Sequence, residues 1–186
     1  MDLDGIPEDA TEQSSGRRSR NTALKYFDDV RVIRRLAALG ARSQSIRMAV
    51  GGAWTHSSIA MVTRNYLGRV DRPGRRPTSI SFENSHRDKI HWTLAYLLHE
   101  IAKRWPRSAP DTLADAYELY VFIARHISET RIAIESFVSL MDEVPLLAMQ
   151  LANCRECSAP RLIASHRLRT NFVCESCMPS RVRKRE

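Results

Sequence analysis

The sequence predicts a mainly α-helical fold, a helical bundle that contains a helix-turn-helix and is followed by a small four-cysteine module. Apolar residues recur at helical spacing through most of the chain. A Gly51-Gly52 break separates two short segments of that spacing, and the four cysteines form two Cys-x-x-Cys pairs near the C-terminus. We predict a disordered acidic tail (1–20), a helical domain (21–152) with the helix-turn-helix at about 42–68, and a four-cysteine module with a basic tail (153–186).

The N-terminal segment limits the class of protein. Its sequence, MDLDGIPEDATEQSS, is acidic and polar, so we expect a disordered tail and no signal peptide. No apolar run approaches the length needed to cross a bilayer. We therefore expect a soluble, cytoplasmic protein without membrane contacts.

The helix-turn-helix prediction depends on local signals. A first helix over 28–39 ends at Gly40, a short helix runs through Ile46 and Val50, and another opens near Thr55 and closes at Gly68. Thr55 or Ser57 can cap this last helix, and Trp54 would fill the corner. The residues expected to face inward from it are Ile59, Val62 and Tyr66.

Three or four further helices are predicted beyond Pro77. After Pro110, Asp111 can cap the second of them, and Pro145 suits the start of a last helix, PLLAMQLAN. The predicted inward faces are Ile90, Leu94, Leu97, Leu98, Ile101 and Trp105; then Leu113, Ala116, Tyr117, Tyr120, Val121 and Ala124; then Ile134, Phe137, Val138 and Met141.

The cysteines predict a metal site. Cys154 and Cys157 form one pair, Cys174 and Cys177 the other, and the spacing between the pairs is typical of a four-thiolate zinc site. Two such knuckles complete a tetrahedron without an open position, so we predict one structural Zn²⁺. The module would be zinc-ribbon-like, with strands at RLIAS and NFV joined by a turn at HRLRT. Two disulfides or a redox Cys-x-x-Cys are the alternatives.

The net charge of +8 is concentrated in two regions. One follows the second helix of the helix-turn-helix, and the other is the four-cysteine module, which suits a protein that contacts a polyanion at two places. Basic surfaces can also serve solubility alone. If the chain binds DNA, the expected contacts are His56, Ser57, Ser58, Met61, Arg64 and Asn65; Arg69, Arg72, Arg75 and Arg76; and Arg161, Arg167, Arg169, Arg181, Arg183, Lys184 and Arg185.

No catalytic constellation is evident, and no phosphate-binding glycine loop occurs. His86, His91 and His99 lie in or near one helix without a zincin spacing. Four acidic residues of the helical domain are expected to be solvated rather than catalytic: Asp115, Glu118, Glu129 and Glu135. We therefore expect neither an enzyme nor a small-molecule substrate.

The order of these elements resembles the FlhC family of flagellar transcriptional activators. The resemblance rests on ALGARSQSI, on RNYLG, on ADAYELYVFIARH followed by SFVSLM, on CREC…CESC, and on the basic tail PSRVRKRE, and it covers about residues 28–186. It implies that Cys154, Cys157, Cys174 and Cys177 bind zinc and that the chain forms a heterohexamer with FlhD. It further implies binding of promoter DNA upstream of flagellar operons and recruitment of RNA polymerase.

Two other functions remain open from the residues alone. One is a zinc-ribbon adaptor that binds protein or RNA without sequence-specific DNA recognition. The other is a small metalloenzyme, which would require an open position on the metal.

Overall fold

The computed structural model describes residues 9–68, 86–127, 131–144, 146, 149–167 and 171–178. Within these ranges the chain forms helices and a two-stranded sheet, which confirms the predicted mainly α-helical fold. The helices are α1 (Asp9–Ala38), α2 (Ser43–Val50), α3 (His56–Leu67), α4 (His86–Ala102), α5 (Ala109–Ala124) and α6 (Ile134–Glu143), and the strands are β1 (Met149–Asn153) and β2 (Pro160–Ala164). None of the described helices is both long and apolar enough to cross a membrane.

Helix α1 begins at Asp9, far ahead of the predicted start at residue 28 and inside the segment predicted to be a tail. The added turns have no apolar stripe, which is why periodicity did not indicate them, but Ala10, Glu12 and Arg17 are good helix formers. Residues 1–8 of the predicted tail lie outside the described residues. The inner face of α1 consists of the buried side chains Val32, Ile33, Leu36 and Ala37.

Helices α2 and α3 form the predicted helix-turn-helix around a filled corner. Trp54 is buried; its indole N–H donates a hydrogen bond of 2.9 Å to Asp29 Oδ2 of α1, and its ring stacks on Tyr26 at 5.3 Å. Thr55 caps α3, because its hydroxyl oxygen accepts from the amide of Ser58 while the Ser58 hydroxyl oxygen accepts from the amide of Thr55. The corner therefore holds α3 against α1.

The inner face of α3 differs from the prediction at its last turn. Ile59 and Thr63 are buried and Val62 is partly buried, but Tyr66 is 51% exposed, so its predicted inward position is wrong. The Arg34 guanidinium lies 5.5 Å from the centre of the Tyr66 ring. A tyrosine at a helix end can keep its hydroxyl in water while its ring contacts an arginine, with little loss of stability.

The predicted inner face of α4 is only partly confirmed, because Leu98 is buried but two other predicted residues are exposed. Ile101 and Trp105 are 44% and 43% exposed, whereas His91 and Thr93 are buried. Both polar side chains have internal partners: His91 Nδ1 lies 2.9 Å from the Tyr120 hydroxyl, and Thr93 Oγ1 accepts a hydrogen bond from β2. A pattern that counts only apolar residues misses such a face.

Helix α5 is capped by Ser108 rather than by Asp111, which corrects the prediction. The Ser108 hydroxyl oxygen accepts a hydrogen bond from the Asp111 amide. The Asp111 carboxylate instead accepts two hydrogen bonds, of 2.9 and 2.8 Å, from the Arg31 guanidinium of α1. These bonds lower the pKa of Asp111, with the Arg31 hydrogen bond as the largest cause. The predicted inner face of α5 is confirmed, with Leu113, Ala116, Tyr117, Tyr120 and Ala124 buried.

Of the acidic residues expected to be solvated, Glu118 is exposed, while Asp115 and Glu135 are half-buried, and all three make polar contacts between helices. Arg35 of α1 forms ion pairs of 2.6 Å with both Asp115 and Glu118 of α5. Glu135 of α6 accepts hydrogen bonds from the Arg42 amide and the Ser45 hydroxyl at the start of α2. Glu129 lies outside the described residues.

The segment before the first cysteine is a strand, so the predicted last helix PLLAMQLAN is wrong. Strand β1 pairs antiparallel with β2, from Met149 opposite Ala164 to Asn153 opposite Pro160. Residues 171–173 form no strand, so the prediction for NFV is also wrong. Met, Gln, Leu and Ala favour helices in isolation, and the strand forms because β2 supplies a partner and Met149 enters the core.

Candidate metal centre and nucleic-acid interface

The four cysteine side chains converge on one point. Their Sγ atoms all lie within 4.8 Å of one another, with Cys157 Sγ and Cys174 Sγ 3.8 Å apart, and all four thiols are free. A tetrahedron of sulfurs around zinc has edges of about 3.8 Å, given Zn–S bonds of about 2.3 Å. The donor set therefore fits a closed four-thiolate metal site.

Backbone hydrogen bonds shape each Cys-x-x-Cys pair into a knuckle. The Ser158 amide donates to the Cys154 carbonyl at 2.8 Å, and Ser158 has a positive φ (57°), which turns the first knuckle back. In the second knuckle, the amides of Cys177 and Met178 both donate to the Cys174 carbonyl. The local turns orient both sulfurs of each pair in the same direction.

Further hydrogen bonds join the two knuckles. The Cys174 amide donates to Cys154 Sγ at 3.3 Å, and the Arg155 amide donates to the Phe172 carbonyl at 2.9 Å. Amide donors stabilise a thiolate, and the pKa of Cys154 is lowered to about 6, with the Cys174 amide as the largest cause. Hydrogen bonding to the neighbouring sulfurs, led by Cys157, raises the pKa of Cys177 to about 12. Metal binding requires deprotonated thiols, and the amide donors around Cys154 favour its thiolate.

The cysteine module packs directly on α4. Leu162 of β2 is buried in the helical core, and its amide donates a hydrogen bond of 2.9 Å to Thr93 Oγ1. Lys89 of α4 forms an ion pair of 2.5 Å with Glu175, which lies inside the second knuckle. The cysteine cluster is therefore attached to the bundle through both the strand and the second knuckle.

The predicted DNA contacts of α3 lie on its outward side, with one exception. The side chains of His56, Ser57, Met61, Arg64 and Asn65 are exposed. Ser58 is half-buried, and its hydroxyl is used in the capping box with Thr55. The exposed set comprises residues that can donate or accept hydrogen bonds, together with a single methionine.

The other predicted contacts are less well defined. Arg161 is half-buried and donates from Nη1 to the neighbouring Pro160 carbonyl at 2.9 Å. Arg167 belongs to a 3₁₀ turn, Ser165–Arg167, and its side chain lies outside the described set. Nine predicted contacts lie outside the described residues altogether: Arg69, Arg72, Arg75, Arg76, Arg169, Arg181, Arg183, Lys184 and Arg185.

One surface was missed at the sequence level. A groove between α1 and α3 contains exposed aromatic side chains of α1, Tyr26 and Phe27, beside Met61 and Tyr66 of α3. A signal for it existed, because Phe27, Val30, Arg34 and Ala38 recur at helical spacing. This second stripe is a weaker signal than the buried stripe of α1, because it includes a charged residue.

Fold and site together define a helix-turn-helix protein with a cluster of four cysteines positioned to bind a metal ion. The family model described as "Flagellar transcriptional activator (FlhC)" matches residues 19–186. The chain belongs to the FlhC family and is thus a transcriptional regulator of flagellar genes, a class of protein that is not an enzyme class. It is similar to the "Flagellar transcriptional regulator FlhC" of Gallionella capsiferriformans (strain ES-2), with 25% identity over 161 residues, which cover 85% of this chain and 87% of the relative.

Proposed function

We propose that this protein is a zinc-containing, DNA-binding component of a transcriptional activator that acts in the cytoplasm with an FlhD-like protein. The two chains would form a heterohexamer, bind promoter regions of flagellar operons and recruit RNA polymerase. The observation that carries the proposal is the family match, which spans both the helix-turn-helix and the four cysteines. No catalytic step and no small-molecule substrate are part of it.

The proposed metal is a single structural Zn²⁺. Four sulfur ligands at tetrahedral spacing are typical of zinc or of iron–sulfur centres, and zinc needs no redox partner or cluster assembly. Bound zinc would cross-link the two knuckles, because each knuckle would supply two of its sulfur ligands. Cys154, Cys157, Cys174 and Cys177 would fill the coordination sphere and leave no position for a reactive water.

The proposed DNA-reading element is the exposed side of α3. His56 and Ser57 stand in its first turn, where recognition helices approach base edges, and Arg64 lies two turns further along. The arginines that follow α3 and those of the C-terminal module would contact phosphates and give the binding a strong dependence on salt.

Quantitative footprinting of the co-expressed complex tests this proposal. The chain and the FlhD-like protein of the same genome are co-purified, sized and titrated against a flagellar promoter duplex, with an unrelated duplex as competitor, over a salt series. We expect protection of a discrete promoter region that survives the competitor. Equal affinity for both duplexes would instead support a zinc-ribbon adaptor that binds protein or RNA.

Cobalt substitution tests the closed metal site separately. Co²⁺ in a site of four thiolates has intense absorption bands typical of tetrahedral sulfur coordination. A spectrum with fewer than four sulfurs, or with a water ligand, would favour the metalloenzyme alternative over a structural zinc.

A further inference from the structure

A groove of about 790 Å³ runs between α1 and α3 on the outside of the bundle. Its lining includes Tyr26, Phe27, Arg34, Ala38, Met61 and Tyr66. The four large apolar or aromatic side chains among these are all more than half exposed, from 51% for Tyr66 to 69% for Phe27. Exposed apolar side chains that cluster in one groove are typical of a surface that another molecule covers.

The charge of the groove is positive and one-sided. Its lining includes three arginines and no acidic residue. Arg31 and Arg35 are already paired with carboxylates of α5, Arg31 with Asp111 and Arg35 with Glu118. Arg34 contacts the Tyr66 ring and has no carboxylate partner among the described residues. One cation of the groove is therefore left to pair with an acidic group on whatever binds there.

The shape of the groove suits a helix. Both walls are helices, and a third helix can lay its ridge of side chains into the space between two others. The groove-lining face of α1 extends from Phe27 to Ala38, a length of about 17 Å or three helical turns. A partner helix of that length would place apolar residues at i, i+3 or i+4, and i+7 against the aromatic side chains.

We propose that this groove binds an amphipathic helix of a protein partner, with an acidic residue on the edge that faces Arg34. Double-stranded DNA is a poorer match, because a polyanion would leave Phe27 and Met61 against its charged backbone and would find a single unpaired arginine in the lining. Met61 and Asn65 then contact protein, while His56, Ser57 and Arg64 are left for DNA.

The test uses the full chain and a fluorescent amphipathic peptide of about 14 residues, long enough to fill the groove. Its leucines follow helical spacing and glutamates flank one edge. One matched peptide has lysines in place of the glutamates, and another has the same composition with its spacing scrambled. Binding is measured by fluorescence anisotropy without any FlhD-like protein, so the outcome is independent of that partnership.

We expect Met61→Asp to weaken binding of the glutamate peptide about tenfold or more, because it places a charge in the apolar part of the groove. Arg34→Glu should lower the affinity for the glutamate peptide and raise the affinity for the lysine peptide. The control is Ile127→Asp, a substitution of a similarly exposed apolar residue in the turn after α5, which should leave binding unchanged. Thermal melting followed by circular dichroism identifies any variant that fails to fold. If Met61→Asp does not fold, the test depends on Arg34→Glu, which changes an exposed residue.

Three results would overturn the proposal. Equal binding of the scrambled peptide would mean that the groove does not select a helix. A loss of promoter DNA affinity in Met61→Asp with unchanged peptide affinity would assign the groove to nucleic acid. Self-association of the wild-type chain that Met61→Asp abolishes in sedimentation would assign it to a second copy.

Discussion

The amide of Leu162 donates a hydrogen bond of 2.9 Å to Thr93 Oγ1, and this contact joins the strand between the two cysteine pairs to α4. The same hydroxyl donates to the Lys89 carbonyl at 2.8 Å, so Thr93 is satisfied on both sides. Lys89 in turn pairs with Glu175 beside Cys174. The four-cysteine module and the helical bundle are thus connected through a short run of residues on α4.

Removal of this hydroxyl should destabilise the protein. Thr93→Val keeps the volume of the side chain but leaves the buried Leu162 amide without an acceptor, at a cost of about 1–3 kcal/mol in the free energy of unfolding. Urea denaturation measures it. Thr93→Ser, which retains the hydroxyl, is the control and should lose less. Equal stability of Thr93→Val and wild type would show that the contact does not support the fold.

Loss of one sulfur ligand should release the metal. Cys157→Ser leaves three thiolates and one weak oxygen ligand, so the purified variant should have much less than one metal ion per chain by mass spectrometry of the metal. Met178→Ala, which changes an exposed neighbour outside the ligand set, should retain its metal. A Cys157→Ser variant with full metal content would contradict the assigned ligands.

The pairing of Asp111 with Arg31 should make stability depend on pH. Because the pKa of Asp111 is lowered in the folded protein, its carboxylate stabilises the fold above the ordinary carboxyl pKa of about 4, and this contribution is lost as the pH falls through the lower folded value. Asp111→Asn should therefore lower the free energy of unfolding by about 1–3 kcal/mol at pH 7. Below pH 4 the difference in stability between this variant and wild type should become smaller. Denaturation of both proteins at several pH values measures this difference. A difference that stays constant with pH would refute the stabilising role of the Asp111–Arg31 pair.

Arg64 should contribute to DNA affinity and not to the fold. Its side chain is exposed on α3, so Arg64→Ala should change the stability by less than about 0.5 kcal/mol. DNA affinity should fall, with the salt dependence reduced by about one phosphate contact. Arg104→Ala, at an exposed arginine beyond the end of α4, is the matched control. A large fall in the melting temperature of Arg64→Ala would mark this residue as structural.

Local signals made the helix-turn-helix and the clustering of the four cysteines predictable. The Thr55 cap, the left-handed Gly68 at the end of α3 and the two Cys-x-x-Cys pairs each depend on residues a few positions apart. Such features form from short-range geometry, so a single sequence contains enough information to find them.

The features that were missed depend on contacts between distant parts of the chain. Strand β1 forms because β2 pairs with it, although its residues favour a helix. His91 and Thr93 are buried because Tyr120 and Leu162 provide partners, which no periodicity of α4 reveals. The α1–α3 groove likewise exists only once the two helices lie side by side.

The most direct test of the central claim is footprinting of the wild-type chain with its FlhD-like partner on a flagellar promoter, repeated with Cys157→Ser. We predict protection of a discrete promoter region by the wild-type complex and its loss in the metal-deficient variant, because the cysteine module is fastened to the helical domain. The absence of any protected region with the intact, metal-loaded complex would contradict the proposed function.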